Sequence, residues 1–265
     1  MGAKSAMLIF SEEHAADRLR VAREADEAAT TALVARVHPG CTVEPVPGVP
    51  LWDGTYPLDG ICYAASFEGV EIVCDRRLME YRPSLMPARL LAAGRGDRTF
   101  FHAMHSVSDA LTFAVWEGGA LVRSLSLSPE SGIVENIGAP YEFEAPFWAG
   151  ERPVEPDPRW GEDQPPYPLA FHPLELGEEA LREFAGFVLE GRLHLDDLDA
   201  DAVLLHGFRV TDPNGPDPAR VRAELEQRVA AMRLRLIEGG LHRWWERRSR
   251  YSPAEGGSRC TGGLP

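Results

Sequence analysis

Glycine-centred breaks between short apolar runs constrain the middle of this 265-residue chain more than any other feature. Ile61–Phe67 and Val70–Cys74 are apolar or β-branched and are separated by Glu68-Gly69. Residues 112–128, TFAVWEGGALVRSLSLS, break at Gly118-Gly119. A two-residue break with glycine between alternating runs is a hairpin signal, because glycine accepts the positive φ that such turns need. Hairpins make antiparallel neighbours. The expected fold is therefore α+β, with a mixed or mainly antiparallel sheet covered by helices and a C-terminal helical extension.

Ala6–Phe10 (AMLIF) reads as a first buried strand, Thr42–Val46 as a short one, and PVPGVPLWDGTYPLDG after it as loop. Thr99 to Ser128 supplies up to three strands, with Ile133–Ile137, Tyr141–Phe143 and Ala202–Val210 as further candidates. Helices are expected over 25–37, ended by Pro39-Gly40, over 85–93 behind Ser84, and over 178–190, with Gly191 just past the end. A final helix starts at Pro218 and runs to about residue 238, with an apolar stripe of Val221, Leu225, Val229, Met232 and Leu236. That stripe needs cover from the core or from a second copy of the chain. The domain reading is a core over 1–211, a helical extension over 212–248 and a disordered tail over 249–265.

A net charge of −14 disfavours a nucleic-acid backbone as the main partner, since phosphates are repelled at long range. LHRWWERRSR near the C-terminus is basic and aromatic, and docking on an acidic surface is its expected use. No apolar run reaches the ~20 residues of a membrane span, and the N-terminus lacks the pattern of a signal peptide. The chain is expected to be cytoplasmic. Cys41, Cys62, Cys74 and Cys260 show no CxxC spacing and read as buried or incidental thiols. Lys4 is the sole lysine among many arginines, a bias of GC-rich bacterial coding.

The residues with most chemical promise sit in FHAMHSVSDALTFAVWEGGALVRSLSLS, residues 101–128. His102 and His105 are three apart, which on a strand sends the rings to opposite faces, so a shared metal is disfavoured. HSVSD is read as a turn, with Ser108 or Asp109 bonding local backbone N–H groups, and no GxSxG elbow supports a serine nucleophile. With Gly118-Gly119 as the turn, Glu117 faces Ala120, Trp116 faces Leu121 and Ala114 faces Arg123. Leu121, Arg123, Leu125 and Leu127 then share one face. Arg123 is a charge among leucines: it pairs with a carboxylate, snorkels to the edge or binds an anion, and the internal ion pair is the expectation.

Asp75 ends the strand VEIVCD, a place for chemistry in some sheets and the ordinary polar start of a loop in most. Trp52 and Asp53 lie in the Gly- and Pro-rich loop with Tyr56 and Asp59, where packing explains them as well as a pocket for a cationic or sugar-like ligand does. No Walker loop, GxGxxG or kinase set is present, and neither a cofactor nor a metal is expected.

Several blocks, among them MGAKSAML, LWDGTYP, YAASFEGVEIVCDRRLM, PFWAGE and FHPLELGEEALREFAGFVLEG, carry a resemblance. Over roughly residues 1–210 the chain resembles an uncharacterised family of actinobacterial proteins classed only as a domain of unknown function. The resemblance supplies no mechanism. Two functions remain. The first is a non-enzymatic interaction, immunity-type or regulatory module, partnered by another protein or a second copy, with an exposed apolar patch and no deep polar pocket. The second is a small-molecule hydrolase or transferase in which Asp75, His102, His105 and Arg123 converge in one pocket.

Overall fold

A computed structural model describes residues 2–155 and 166–215, together with helical positions Ala223, Glu226 and Gln227. The chain divides into two compact units, residues 1–213 and 214–265. The helical stripe beyond Pro218 and the tail lie outside the described residues, so the architecture below is that of the first unit.

Nine strands form one sheet: β1 Lys4–Ser11, β2 Thr42–Pro50, β3 Ile61–Phe67, β4 Val70–Cys74, β5 Arg98–His105, β6 Ala110–Glu117, β7 Ala120–Ser128, β8 Gly132–Ile137 and β9 Leu204–Thr211. Their order is β2-β9-β3-β4-β1-β5-β6-β7-β8, and every pairing is antiparallel. Strand β1 lies inside the sheet and is buried on both faces, which is why its sequence is an unbroken apolar run. The helices are α1 Ala15–Val21, α2 Glu27–Val37, α3 Leu51–Gly54, α4 Ala88–Leu91, α5 Ala145–Trp148 and α6 Pro173–Ala185.

Alternation along each strand sorts the core into two clusters. On the first face Met7, Ile9, Ile72, Phe100, Phe113 and Leu125 belong with Leu19 of α1 and Leu181 and Phe184 of α6. On the second, Leu8, Phe10, Val73, Phe101, Ala114 and Phe208 belong with Leu33, Val34 and Val37 of α2. Among the described residues no helix is long and apolar enough to cross a membrane.

Several local expectations need correction. The helix expected over 178–190 begins at Pro173, which suits the first helical position, and ends where Gly186 turns left-handed at φ 80°. The helix over 85–93 shrinks to a 3₁₀ turn, Pro83–Leu85, and α4, because Pro87 interrupts it. The stretch after Val46 is not all loop: β2 continues to Pro50 and α3 follows. Tyr141–Phe143 is not a strand; a 3₁₀ turn spans Glu142–Glu144, and the Glu144 carboxylate turns back to accept from the Tyr141 N–H.

The Gly118-Gly119 turn forms with φ values of 55° and 79°. Glu117 opposes Ala120 and Trp116 opposes Leu121. A bulge then shifts the register, so that Arg123 faces Val115 rather than Ala114. One inserted residue reverses the alternation. Leu121 consequently packs with the second cluster, while Leu125 and Leu127 belong to the first.

Candidate functional site

Arg123 is fully buried and answers the charge problem internally. Its Nε and Nη2 donate to the two oxygens of Glu144 at 2.8 and 2.6 Å, and Glu144 is equally buried. Nη1 donates to Asn136 Oδ1 and to the carbonyls of Ser124 and Ile137. Glu144 also accepts from the Trp148 indole at 3.1 Å. With every strong partner inside the protein, this network is a structural clasp between β7, β8 and the turn before α5.

His102 is likewise internal. Its Nδ1 lies 2.7 Å from Ser5 Oγ and its Nε2 lies 3.1 Å from the Gly177 carbonyl. A carbonyl accepts only, so Nε2 carries the proton and Nδ1 accepts from the serine hydroxyl. Burial pushes its pKa down to about 3 despite the Gly177 bond, so the ring is neutral. It ties β1 and β5 to α6.

His105 continues the alternation of Phe101 and Ala103, so it belongs to the opposite face of β5. Its ring meets Tyr56 edge-on at 5.8 Å. Burial, then the Lys4 ammonium, hold it below the ordinary imidazole range. Asp75 follows Val73 and Cys74 in β4 and falls on that second face as well. The sheet therefore divides the four residues, with His102 and Arg123 on one side and Asp75 and His105 on the other. The pocket required by the hydrolase or transferase reading is not assembled from them.

In the turn between β5 and β6 the Ser108 hydroxyl donates to the His105 carbonyl, rather than accepting from an N–H. Asp109 adopts a left-handed φ of 46° and accepts from the Tyr167 hydroxyl at 3.2 Å. Trp52 donates from its indole to the Leu189 carbonyl at 3.3 Å, and Asp53 beside it is exposed. Trp52 lines a cavity of about 300 Å³ with Leu189, Leu193, Leu198, Asp199 and Asp201, and Asp53 is not among the lining residues.

Asp75 stands in a denser group. It caps the 3₁₀ turn Arg76–Leu78 by accepting from the Arg77 N–H at 2.8 Å, and the Arg77 guanidinium forks onto both its oxygens. His38, just past α2, brings Nε2 to 3.1 Å from Asp75 Oδ2. Burial opposes the charged carboxylate, but His38 and Arg77 outweigh it and hold its pKa below the ordinary value. Cys62 of β3 completes the cluster; one ligating atom each from His38, Cys62 and Asp75 lies within 4.8 Å of the others. Burial, and then the nearby Asp75 charge, raise the Cys62 thiol well above its usual range. Among the described residues, these are the groups placed so that they could hold a metal. Neither His38 nor Cys62 carries a local sequence signal, since three separate elements supply the three side chains.

A cavity of about 460 Å³ runs along α6, lined in part by Phe147, His172, Glu175, Glu178, Glu179 and Arg182. Glu178 is its most buried acid, and burial raises its carboxyl pKa. Both oxygens are used at home, accepting from the Leu189 and Glu190 N–H groups at 2.7 and 3.0 Å. Arg182 is bound to Glu179, Asp197 and the Arg192 carbonyl. These ties make this cavity wall a folded turn rather than a reactive constellation.

Residues 5–208 match the model of a family of unknown function, DUF6928, and the chain belongs to that family. Comparison with curated proteins and with solved structures finds no match.

Proposed function

We propose that this member of the DUF6928 family works by binding rather than by catalysis, and that the edge of its sheet at β8, unpaired among the described residues, is the working surface. The observation that carries the reading is the proline content of the two edges. Strand β2 bears Pro45, Pro47 and Pro50, which have no N–H to give an added strand. Strand β8 has no proline or lysine, and Ile133 and Ile137 are 49% and 39% exposed. Its one acid, Glu135, is engaged by Ser84 and Ser124. With helices taken as the cover on both faces, the edge is the natural route for pairing.

The partner we assign is a second copy of the chain. Two identical edges pair antiparallel about a twofold axis, and each copy then has its one open edge satisfied. The blocked β2 edge stops growth there, so the product is a closed dimer and not a fibre. The bulge at Val134, the extra residue of β8 itself, shortens the stretch that can pair, which favours a weak, reversible association. A body with net charge −14 resists self-association, so added salt strengthens it. We assign it to the cytoplasm, where the free thiols of Cys41, Cys62 and Cys74 persist.

Light scattering across a concentration series tests the reading. The full chain should pass from monomer to dimer, and Ile133→Lys with Ile137→Lys should stay monomeric while melting close to the parent. A parent that is monomeric throughout, or a variant that still dimerises, contradicts it.

A further inference from the structure

We propose that His38, Cys62 and Asp75 form a binding site for one divalent transition-metal ion, Zn²⁺ above all. The three side chains come from the end of α2, from β3 and from the residue after β4, and the fold alone brings them together. A nitrogen, a sulfur and a carboxylate oxygen form a donor set suited to zinc and its neighbours, not to calcium or magnesium.

The His38–Asp75 edge of the cluster fits a shared ion, with Cys62 Sγ within 4.8 Å of both. The 3.1 Å between His38 Nε2 and Asp75 Oδ2 is close to the ~3.3–3.5 Å edge of a tetrahedron with bonds of about 2.0–2.2 Å. Nε2 is a buried nitrogen that lies beside the Asp75 carboxylate without a well-formed hydrogen bond. An ion between the three groups would satisfy it. The Arg77 fork fixes the carboxylate orientation, as a partner behind a metal ligand does.

Charge is consistent too. A Cys62 thiolate and the Asp75 carboxylate, offset by Arg77, leave one net negative charge facing the cation. Before binding, Cys62 is a neutral thiol. On binding, its S–H bond breaks, an S–metal bond forms and the proton leaves to solvent. Cys62 is fully buried whereas the His38 side chain is 11% exposed, so the ion enters past the imidazole. Three protein ligands leave a fourth position for water.

The test uses the full chain, stripped with a chelator and titrated with Co²⁺ and then Zn²⁺. The expected result is one equivalent of Co²⁺ with thiolate-to-cobalt absorption in the near ultraviolet, displaced by Zn²⁺. Cys62→Ala should abolish that absorption, with Cys62→Ser in its place if the alanine variant fails to fold. His38→Gln should weaken binding by at least about tenfold, while Cys41→Ala leaves it unchanged. Circular dichroism without metal verifies that each variant is folded. No thiolate absorption in the parent overturns the site; so does absorption retained without Cys62, or parental affinity in His38→Gln.

Discussion

Arg123 and Glu144 form a two-pronged ion pair at 2.8 and 2.6 Å in which both side chains are wholly shut off from solvent. The desolvation of two charges is offset here by further bonds, from Arg123 to Asn136 and two carbonyls and to Glu144 from Tyr141 and Trp148. Removing one partner leaves the other charge buried and unpaired. Arg123→Leu should therefore cost about 3–5 kcal/mol, read as a lower midpoint in urea. An unchanged midpoint would mean that Glu144 finds water or another donor.

His102 gives the fold a pH dependence with a definite sign. Its folded pKa of about 3 lies below the ~6.5 of an unfolded imidazole. Below that upper value the unfolded chain takes up a proton that the folded chain refuses. The contribution is thus complete above about pH 6.5 and drains away as pH falls toward 3, at up to about 1.4 kcal/mol per unit. Other groups titrate in this window, so the readout is the stability difference between the parent and His102→Gln. That gap should narrow as the pH drops. A constant gap would show that the ring accepts a proton in the folded state.

Much of the sheet was legible because it is built from local signals. The glycines at 69 and 118–119 announce hairpins, and both hairpins form. The spacing of His102 and His105 sends the rings to opposite faces, as period-two geometry requires. Arg123 on an apolar face implied a buried carboxylate, although nothing local named Glu144, which is 21 residues away. Other features depend on tertiary context. The bulge that reverses Leu121 has no residue signature, and the insertion of β9 between β2 and β3 pairs segments distant in the chain. The His38–Cys62–Asp75 cluster was hidden for the same reason. Pro173 and Gly186 did mark the true ends of α6, but the acidic run at Glu178-Glu179 was the more conspicuous start.

Amide hydrogen exchange along β8, followed as protein concentration is raised, tests the central claim most directly. Pairing of two copies through this edge closes the outward-facing N–H groups of Gly132–Ile137, whose strand borders only β7 among the described residues. The account predicts that β8 amides become protected with concentration while those of the proline-blocked β2 edge do not, and that Ile133→Lys with Ile137→Lys abolishes the effect. Exchange in β8 that is independent of concentration, in a sample shown by light scattering to be dimeric, would contradict it.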